Sequence, residues 1–228
     1  MSSSSTCIDC KIGSHCFRKL IPSELEFINQ KKTQIHYSKG ENICKQGAFA
    51  SYVLYVSNGL VKLYLENTNK KITNIKILKS TDFIGLASIY GDNIYNFSAI
   101  AIKDTDVCLI EKNGIRELLN NNADFAAEMI KRFCNEEMHY FNIIKSISYK
   151  QMPGRLADAL LYLSSPTLSS EKIFNYIARK DIADFACISK ESTIKLLTEF
   201  KNDGLIDIDG KNIQILNSEK LKEISKLG

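Results

Sequence analysis

The stretch Arg179-Lys180-Asp181-Ile182-Ala183-Asp184-Phe185-Ala186-Cys187-Ile188-Ser189-Lys190-Glu191-Ser192-Thr193-Ile194-Lys195-Leu196-Leu197-Thr198-Glu199-Phe200 reads as two short helices joined by a tight turn. Ile182, Ala183 and Ala186 form the inner face of the first. Cys187-Ile188-Ser189 is the turn, with Ile188 directed into the core, and Ser189 suits the N-cap of the second helix. Thr193, Leu196, Leu197 and Phe200 share one face of that helix, which leaves Lys190, Glu191, Ser192, Ile194 and Lys195 on or near the other. Polar side chains thus crowd the helix N-terminus, where a recognition helix meets base edges in a major groove. Lys donates to guanine O6 and N7, and Glu accepts from cytosine N4. Ser189, Ser192 and Thr193 are suited to phosphates, beside the free N–H groups of a helix start.

Downstream, Asp203-Gly204 stops the helix. Leu205 to Ile208 and Asn212 to Leu216 then flank an Asp209-Gly210 turn, a hairpin that completes a winged helix-turn-helix. Upstream, Pro153 opens a helix with Leu156, Leu160 and Leu163 on one face. The rival reading is a small helical domain with solvated charges. Charge does not separate the two, because residues 150–228 hold 12 Lys and Arg against 11 Asp and Glu. The order of parts favours DNA.

Further upstream the period changes twice. Leu118, Phe125, Met129, Phe133, Tyr140, Ile144 and Ile147 recur at helical steps, which predicts one long helix over 116–149, entered through Asp124 as its cap. A helix of about 25 residues is roughly 37 Å long, more than a small domain needs. It packs on its own domain or on a second copy of itself. Residues 33–115 read as short strands broken by turns, among them Tyr52 to Val56, Leu60 to Leu65, Ser98 to Ile102 and Val107 to Ile110. Asn58-Gly59 carries a hairpin signal. Such spacing implies a sandwich or a barrel without choosing between them. A short helix is expected from Pro22.

The first 20 residues are polar and rich in cysteine. Cys7, Cys10 and Cys16 have the spacing C-x2-C-x5-C, and three thiolates within ten residues can hold one metal centre. An iron–sulfur cluster, a zinc site and an unligated tail all remain open. A fourth ligand would come from Cys44, Cys108, Cys134 or Cys187, or from His15 or His36. Cys44, Cys134 and Cys187 lie in strand or helix patterns and read as buried apolar residues. The 228 residues, 44% of them hydrophobic, suffice for one large or two modest domains, and a net charge of +4 permits nucleic-acid binding without arguing for it. No secretory leader or membrane-spanning run is evident, so a cytoplasmic location and no membrane partner are expected, with seven cysteines that form no disulfide framework.

A β-roll, a long helix and a C-terminal winged helix-turn-helix resemble the Crp/Fnr superfamily of transcription regulators over nearly the whole chain. Ile188 to Leu197 is similar to the family's recognition helix, where a Glu followed four residues later by Arg reads a G·C-containing half-site. Glu191 and Lys195 occupy those positions, and Lys lacks the guanidinium fork. Lys39-Gly40-Glu41, Gly59-Leu60-Val61-Lys62 and Asp82-Phe83-Ile84-Gly85 resemble the family's β-roll. The cysteine spacing is similar to that of the family's oxygen-sensing fumarate and nitrate reduction branch, whose fourth ligand precedes the long helix, where Cys108 stands. The resemblance therefore implies a [4Fe–4S] cluster on Cys7, Cys10, Cys16 and Cys108. Cyclic AMP is disfavoured, because Asp82-Phe83-Ile84 and Phe97-Ser98 replace the Gly-Glu-Leu and Arg-Ser segments that hold it.

The expected architecture is α+β. It comprises a cysteine-rich segment 1–20, a β-roll (a jelly roll like a cyclic-nucleotide-binding domain) over 21–115, a dimerisation helix over 116–149 and a winged helix-turn-helix over 150–228. The expected function is sequence-specific DNA binding by a homodimer at an inverted repeat, through Ser189, Lys190, Glu191, Ser192, Thr193 and Lys195, answering oxygen or redox state. RNA polymerase is an expected partner, met by the loop Ala87 to Asn93. The alternative is a regulator of the same build that takes a small ligand or haem in the β-roll. An enzyme with a cupin-like barrel is the reading from another class, and three scattered histidines, His15, His36 and His139, argue against its metal site.

Overall fold

The computed structural model describes residues 16–228, so Cys7, Cys10 and His15 lie outside the described residues. The chain divides into two compact units. One comprises the residues up to Lys71 with Lys76–Glu137, the other Ile72–Ile75 with Met138–Gly228.

In the first unit, α1 (Pro22–Gln30) starts on Pro22, and the Glu24 carboxylate accepts the Ile21 N–H at 2.9 Å. Eight strands follow, β1 (Lys32–Tyr37), β2 (Asn42–Cys44), β3 (Tyr52–Asn58), β4 (Leu60–Glu66), β5 (Ile72–Lys79), β6 (Phe83–Ile84), β7 (Ser98–Ala101) and β8 (Thr105–Glu111). They form two four-stranded sheets, β1-β8-β3-β6 and β2-β7-β4-β5, which settles the open choice for a sandwich of jelly-roll type. The hairpin expected at Asn58-Gly59 is corrected: β3 and β4 lie in different sheets, and Gly59 is the corner where the chain changes sheet. Its φ is +99°, and a Cβ there would lie 2.4 Å from Thr105 Oγ1 and 2.5 Å from the Asp104 carbonyl. Close approach of backbones, rather than a two-residue turn, explains this glycine. The β4–β5 turn is built by Asn67, whose Oδ1 accepts the N–H groups of Asn69 and Lys71.

The single helix expected over 116–149 is two helices, α2 (Lys112–Asn121) and α3 (Ala123–Tyr149). Asn122 leaves the helical region at φ −125°, ψ 101°, and its Oδ1 accepts the Phe125 N–H at 2.8 Å. Asn122, not Asp124, therefore caps the long helix. Apolar periodicity runs through the break because Ile115 and Leu118 of α2 and Phe125 and Met129 of α3 enter the same core.

In the second unit, α4 (Met152–Leu163) begins beside Pro153 and buries Leu156, Leu160 and Leu163. It is followed by α5 (Pro166–Ser169), α6 (Arg179–Ala186), α7 (Lys190–Asn202), β9 (Ile206–Asp209), β10 (Asn212–Ile215) and α8 (Ser218–Leu227). The helix α8 was not expected from sequence. Asn217 caps it by accepting the Lys220 N–H, and Leu221 is fully buried. A polar knot holds the end of α3 in this unit. Lys150 Nζ donates to both oxygens of Asp158 at 2.9 and 2.8 Å and to Ser225 Oγ, while Ser146 Oγ also donates to Asp158. Among the described residues, no helix is long and apolar enough to cross a membrane.

Candidate functional site

The two-helix stretch folds as α6, a turn and α7. Ile182, Ala183 and Ala186 are buried on α6, as are Thr193, Leu196, Leu197 and Phe200 on α7. Asp181 accepts the Ala178 N–H at 2.7 Å and so starts α6. Cys187 turns the chain in a left-handed conformation, φ +52°. Ile188 is only half-buried, less enclosed than expected. Ser189 caps α7 by accepting the Ser192 N–H at 3.0 Å. Lys190, Glu191 and Lys195 are exposed along with Ser189, and Ser192 is half-buried.

Thr193 is a correction. It was expected to hold a phosphate, but it is fully buried and its hydroxyl donates to the Ser189 carbonyl at 2.9 Å. A threonine one turn past the cap back-bonds to the helix rather than facing solvent. Glu191 is held below the usual carboxylate range, first by its own backbone N–H and then by the Ser189 hydroxyl. It therefore stays an acceptor at neutral pH. Lys195 stands 80% exposed, 3.9 Å from Glu199, a loose pair that leaves the ammonium available.

The wing, β9 and β10, pairs in antiparallel register from Ile206–Ile215 to Asp209–Asn212. Arg179, at the start of α6, donates to the carbonyls of Gly210 and Lys211 at 2.9 and 3.1 Å and so fixes the wing tip. The sequence reading missed this role. A basic residue at a helix start carries no local signal for a carbonyl partner 31 residues away.

Of the four cysteines expected as ligands, two are described, and both enter one apolar cluster. Cys16 is 2% exposed and Cys108 is 7% exposed, among Leu20, Ile28, Val53, Tyr55, Phe83, Ile110 and Phe125. On the sheet, Cys108 stands directly opposite Tyr55 of β3 and Gln34 of β1. Cys16 opens a single 3-10 turn, Phe17–Lys19. Its neighbour Phe17 meets Tyr55 edge-on at 5.1 Å between centroids, Phe83 at 5.5 Å and Phe125 at 6.2 Å. Asn122 Nδ2 donates to the Lys19 carbonyl at 3.2 Å, so the cap of α3 also holds the turn after Cys16. Phe17 and Asn122 were not singled out from sequence. Cys44 is buried as expected, and burial pushes its thiol up to about 12. Cys134 is exposed and Cys187 half-buried, contrary to expectation, because their positions on α3 and in the turn do not face a core. His36, an alternative ligand, instead pairs with Asp106 at 2.8 Å.

One side of α3 is apolar and uncovered. Ile130, Phe133, Met138, Phe141, Ile144 and Ile147 are 38–62% exposed. At 100° per residue, Ile130, Phe133, Phe141 and Ile144 fall within roughly 100° of arc.

Known proteins match this arrangement in both units. The Cyclic nucleotide-binding domain family matches residues 34–122, and the Crp-like helix-turn-helix domain family matches residues 154–224. The chain is 27% identical to the Fumarate and nitrate reduction regulatory protein of Vibrio cholerae, covering 96% of this chain and 90% of that one. It is 20% identical to the CRP-like cAMP-activated global transcriptional regulator of Mycobacterium tuberculosis, over 90% of this chain and 93% of the other. A solved structure of a Crp/Fnr-family regulator from Eubacterium rectale aligns with TM-score 0.72 and 20% identity, covering 93% and 98% of the two chains. The jelly roll, the long helix and the helix-turn-helix, with both family matches, identify this chain as a DNA-binding transcription regulator that belongs to the Crp/Fnr family.

Proposed function

We propose that the chain is an oxygen- or redox-responsive regulator of transcription in the cytoplasm, in which Cys7, Cys10, Cys16 and Cys108 hold a [4Fe–4S] cluster. The observation that carries the reading is that Cys16 and Cys108, distant in sequence, are buried in one apolar cluster. A thiolate in such surroundings is costly unless a metal compensates its charge, and thiolate donors are the set an iron–sulfur centre uses. When bound, the cluster supplies an oxygen-labile link between the N-terminal segment and β8.

The rest falls to the chain's own residues. The uncovered side of α3 pairs with its copy in a homodimer, which presents two α7 helices about one DNA turn apart to an inverted repeat. Lys190, Glu191 and Lys195 read bases there, and Ser189 and Ser192 hold phosphates. The loop Ala87 to Asn93, with Tyr90 68% exposed, contacts RNA polymerase. Cyclic AMP, named for the mycobacterial relative, is not the signal in this reading. Phe97 offers no charge to a phosphate, and the neighbouring Ser98 hydroxyl already accepts the Gln46 N–H.

The test is strictly anaerobic purification with iron and sulfide analysis. The wild type is expected to carry iron and sulfide, and Cys108→Ser to carry none. A colourless, iron-free wild type that still binds DNA refutes the sensor reading. For DNA, Glu191→Ala is expected to relax the choice at one base pair per half-site by about 1–3 kcal/mol, read by binding to a set of operator variants. Unchanged discrimination refutes the assignment of the reading helix.

A further inference from the structure

Strand β1 has an inverted burial pattern. Ile35 is exposed, whereas Gln34 is turned inward and half-buried. The Oε1 end of the Gln34 amide is fully enclosed and has no hydrogen-bond partner among the described residues. Buried polar groups of this kind are rare and call for a cause. Gln34 stands directly opposite Cys108 in the β1–β8 register. Directly opposed residues of an antiparallel pair project from the same face, with Cβ atoms about 5 Å apart. Rotating the amide exchanges Oε1 for Nε2, an N–H donor in the same place. A thiol is a poor match for such a donor. A metal-bound thiolate or a cluster sulfide is an acceptor with negative charge, and N–H···S hydrogen bonds stabilise it.

We infer that Gln34 is a positioning residue for the centre held at Cys108, its side-chain amide donating an N–H···S hydrogen bond. This rests on the reading of Cys108 as a ligand. Groups one step outside a metal's ligands typically govern its affinity by about tenfold or more.

The test uses the full chain, reconstituted anaerobically with ferrous iron and sulfide. Wild type, Gln34→Leu and Gln34→Glu are compared in iron retention against a chelator and in urea stability without iron. Leu removes both donor and acceptor, and Glu keeps the shape with acceptors alone. Both variants are expected to retain iron about tenfold less well, and their clusters to bleach faster in air. Iron-free Gln34→Leu is expected to be at least as stable as wild type, because it buries no unpaired amide. Equal iron retention in wild type and Gln34→Leu overturns this inference alone. A parallel loss of iron-free stability also overturns it, since Gln34 would then be a structural residue. A wild type that takes up no iron overturns it together with the reading beneath it.

Discussion

Replacing Ile144 by Ala tests whether the uncovered side of α3 joins two copies. Ile144 is 56% exposed in the protomer. Burying an isoleucine completely is worth about 1.5–3 kcal/mol, so roughly half of that remains to be gained when a second α3 covers it. A two-fold seam buries the residue twice, and alanine retains part of the contact. The loss in dimer stability is therefore about 1.5–2.5 kcal/mol, or about a 10- to 70-fold rise in the dissociation constant. Alanine is the best helix former, so α3 itself should persist. Sedimentation equilibrium measures the constant, and circular dichroism checks the protomer. Ile144→Leu, close in volume, is the control and should change little. An unaltered dissociation constant for Ile144→Ala refutes the seam.

Two further outcomes are expected. Gly59→Ala should destabilise the first unit by about 2–5 kcal/mol, read as a lower urea midpoint. A Cβ at 2.4–2.6 Å from Thr105 and the Asp104 carbonyl cannot be relieved without moving backbone, and φ is positive. Little change would refute the close approach of Thr105 and the Asp104 carbonyl to this corner. His36 is shifted upward from 6.5, first by its hydrogen bond to Asp106 and then by that carboxylate's charge and those of Asp104 and Glu41. The pair's contribution should be fully present below about 6.5 and fade as pH rises through the raised value. Asp106→Asn should lower the His36 midpoint in an NMR titration, and an unshifted midpoint would exclude the pair.

Helix α7 was the most legible element, because each of its signals is local. Ser189 caps within three residues, and Leu196, Leu197 and Phe200 repeat at helical spacing. Thr193 shows the limit of such reading. Residue type permits a phosphate contact, and only the helix phase, which puts Thr193 on the buried face, decides against it. At Asn58-Gly59 a hairpin signal and a sheet-changing corner share one dipeptide, and the distinction lies in Thr105, far along the chain. The break at Asn122 was hidden because an apolar period of three and four residues survives a change of helix axis when both helices face one core. Partners such as Arg179 with the wing carbonyls, or Asn122 with Lys19, leave no mark in sequence. Their backbone acceptors have no residue identity to read.

In the proposed reading, a centre held at Cys16 and Cys108 biases α3 only through interactions that differ between its two states. The first unit contains such interactions at short range. Phe17, next to Cys16, packs on Phe125 of α3 and on Phe83. Phe83 lies 5.3 Å beneath the Arg132 guanidinium of α3, and Arg132 is paired with Asp82 at 3.1 Å. Asn122 holds the Lys19 carbonyl with one end of its amide and caps α3 with the other. Any rearrangement of the turn at Cys16 therefore acts on the start of α3 directly, without a relay through the sheet. An aromatic pair contributes about 0.5–1.5 kcal/mol and a neutral hydrogen bond about the same. Breaking an aromatic pair and one or two of these hydrogen bonds in concert changes the balance by about 1–4 kcal/mol. That matches the couplings of about 1–3 kcal/mol found between allosteric sites. A rearrangement of the turn at Cys16 on ligation of its thiol, as proposed above, is thus sufficient in energy to bias the start of α3.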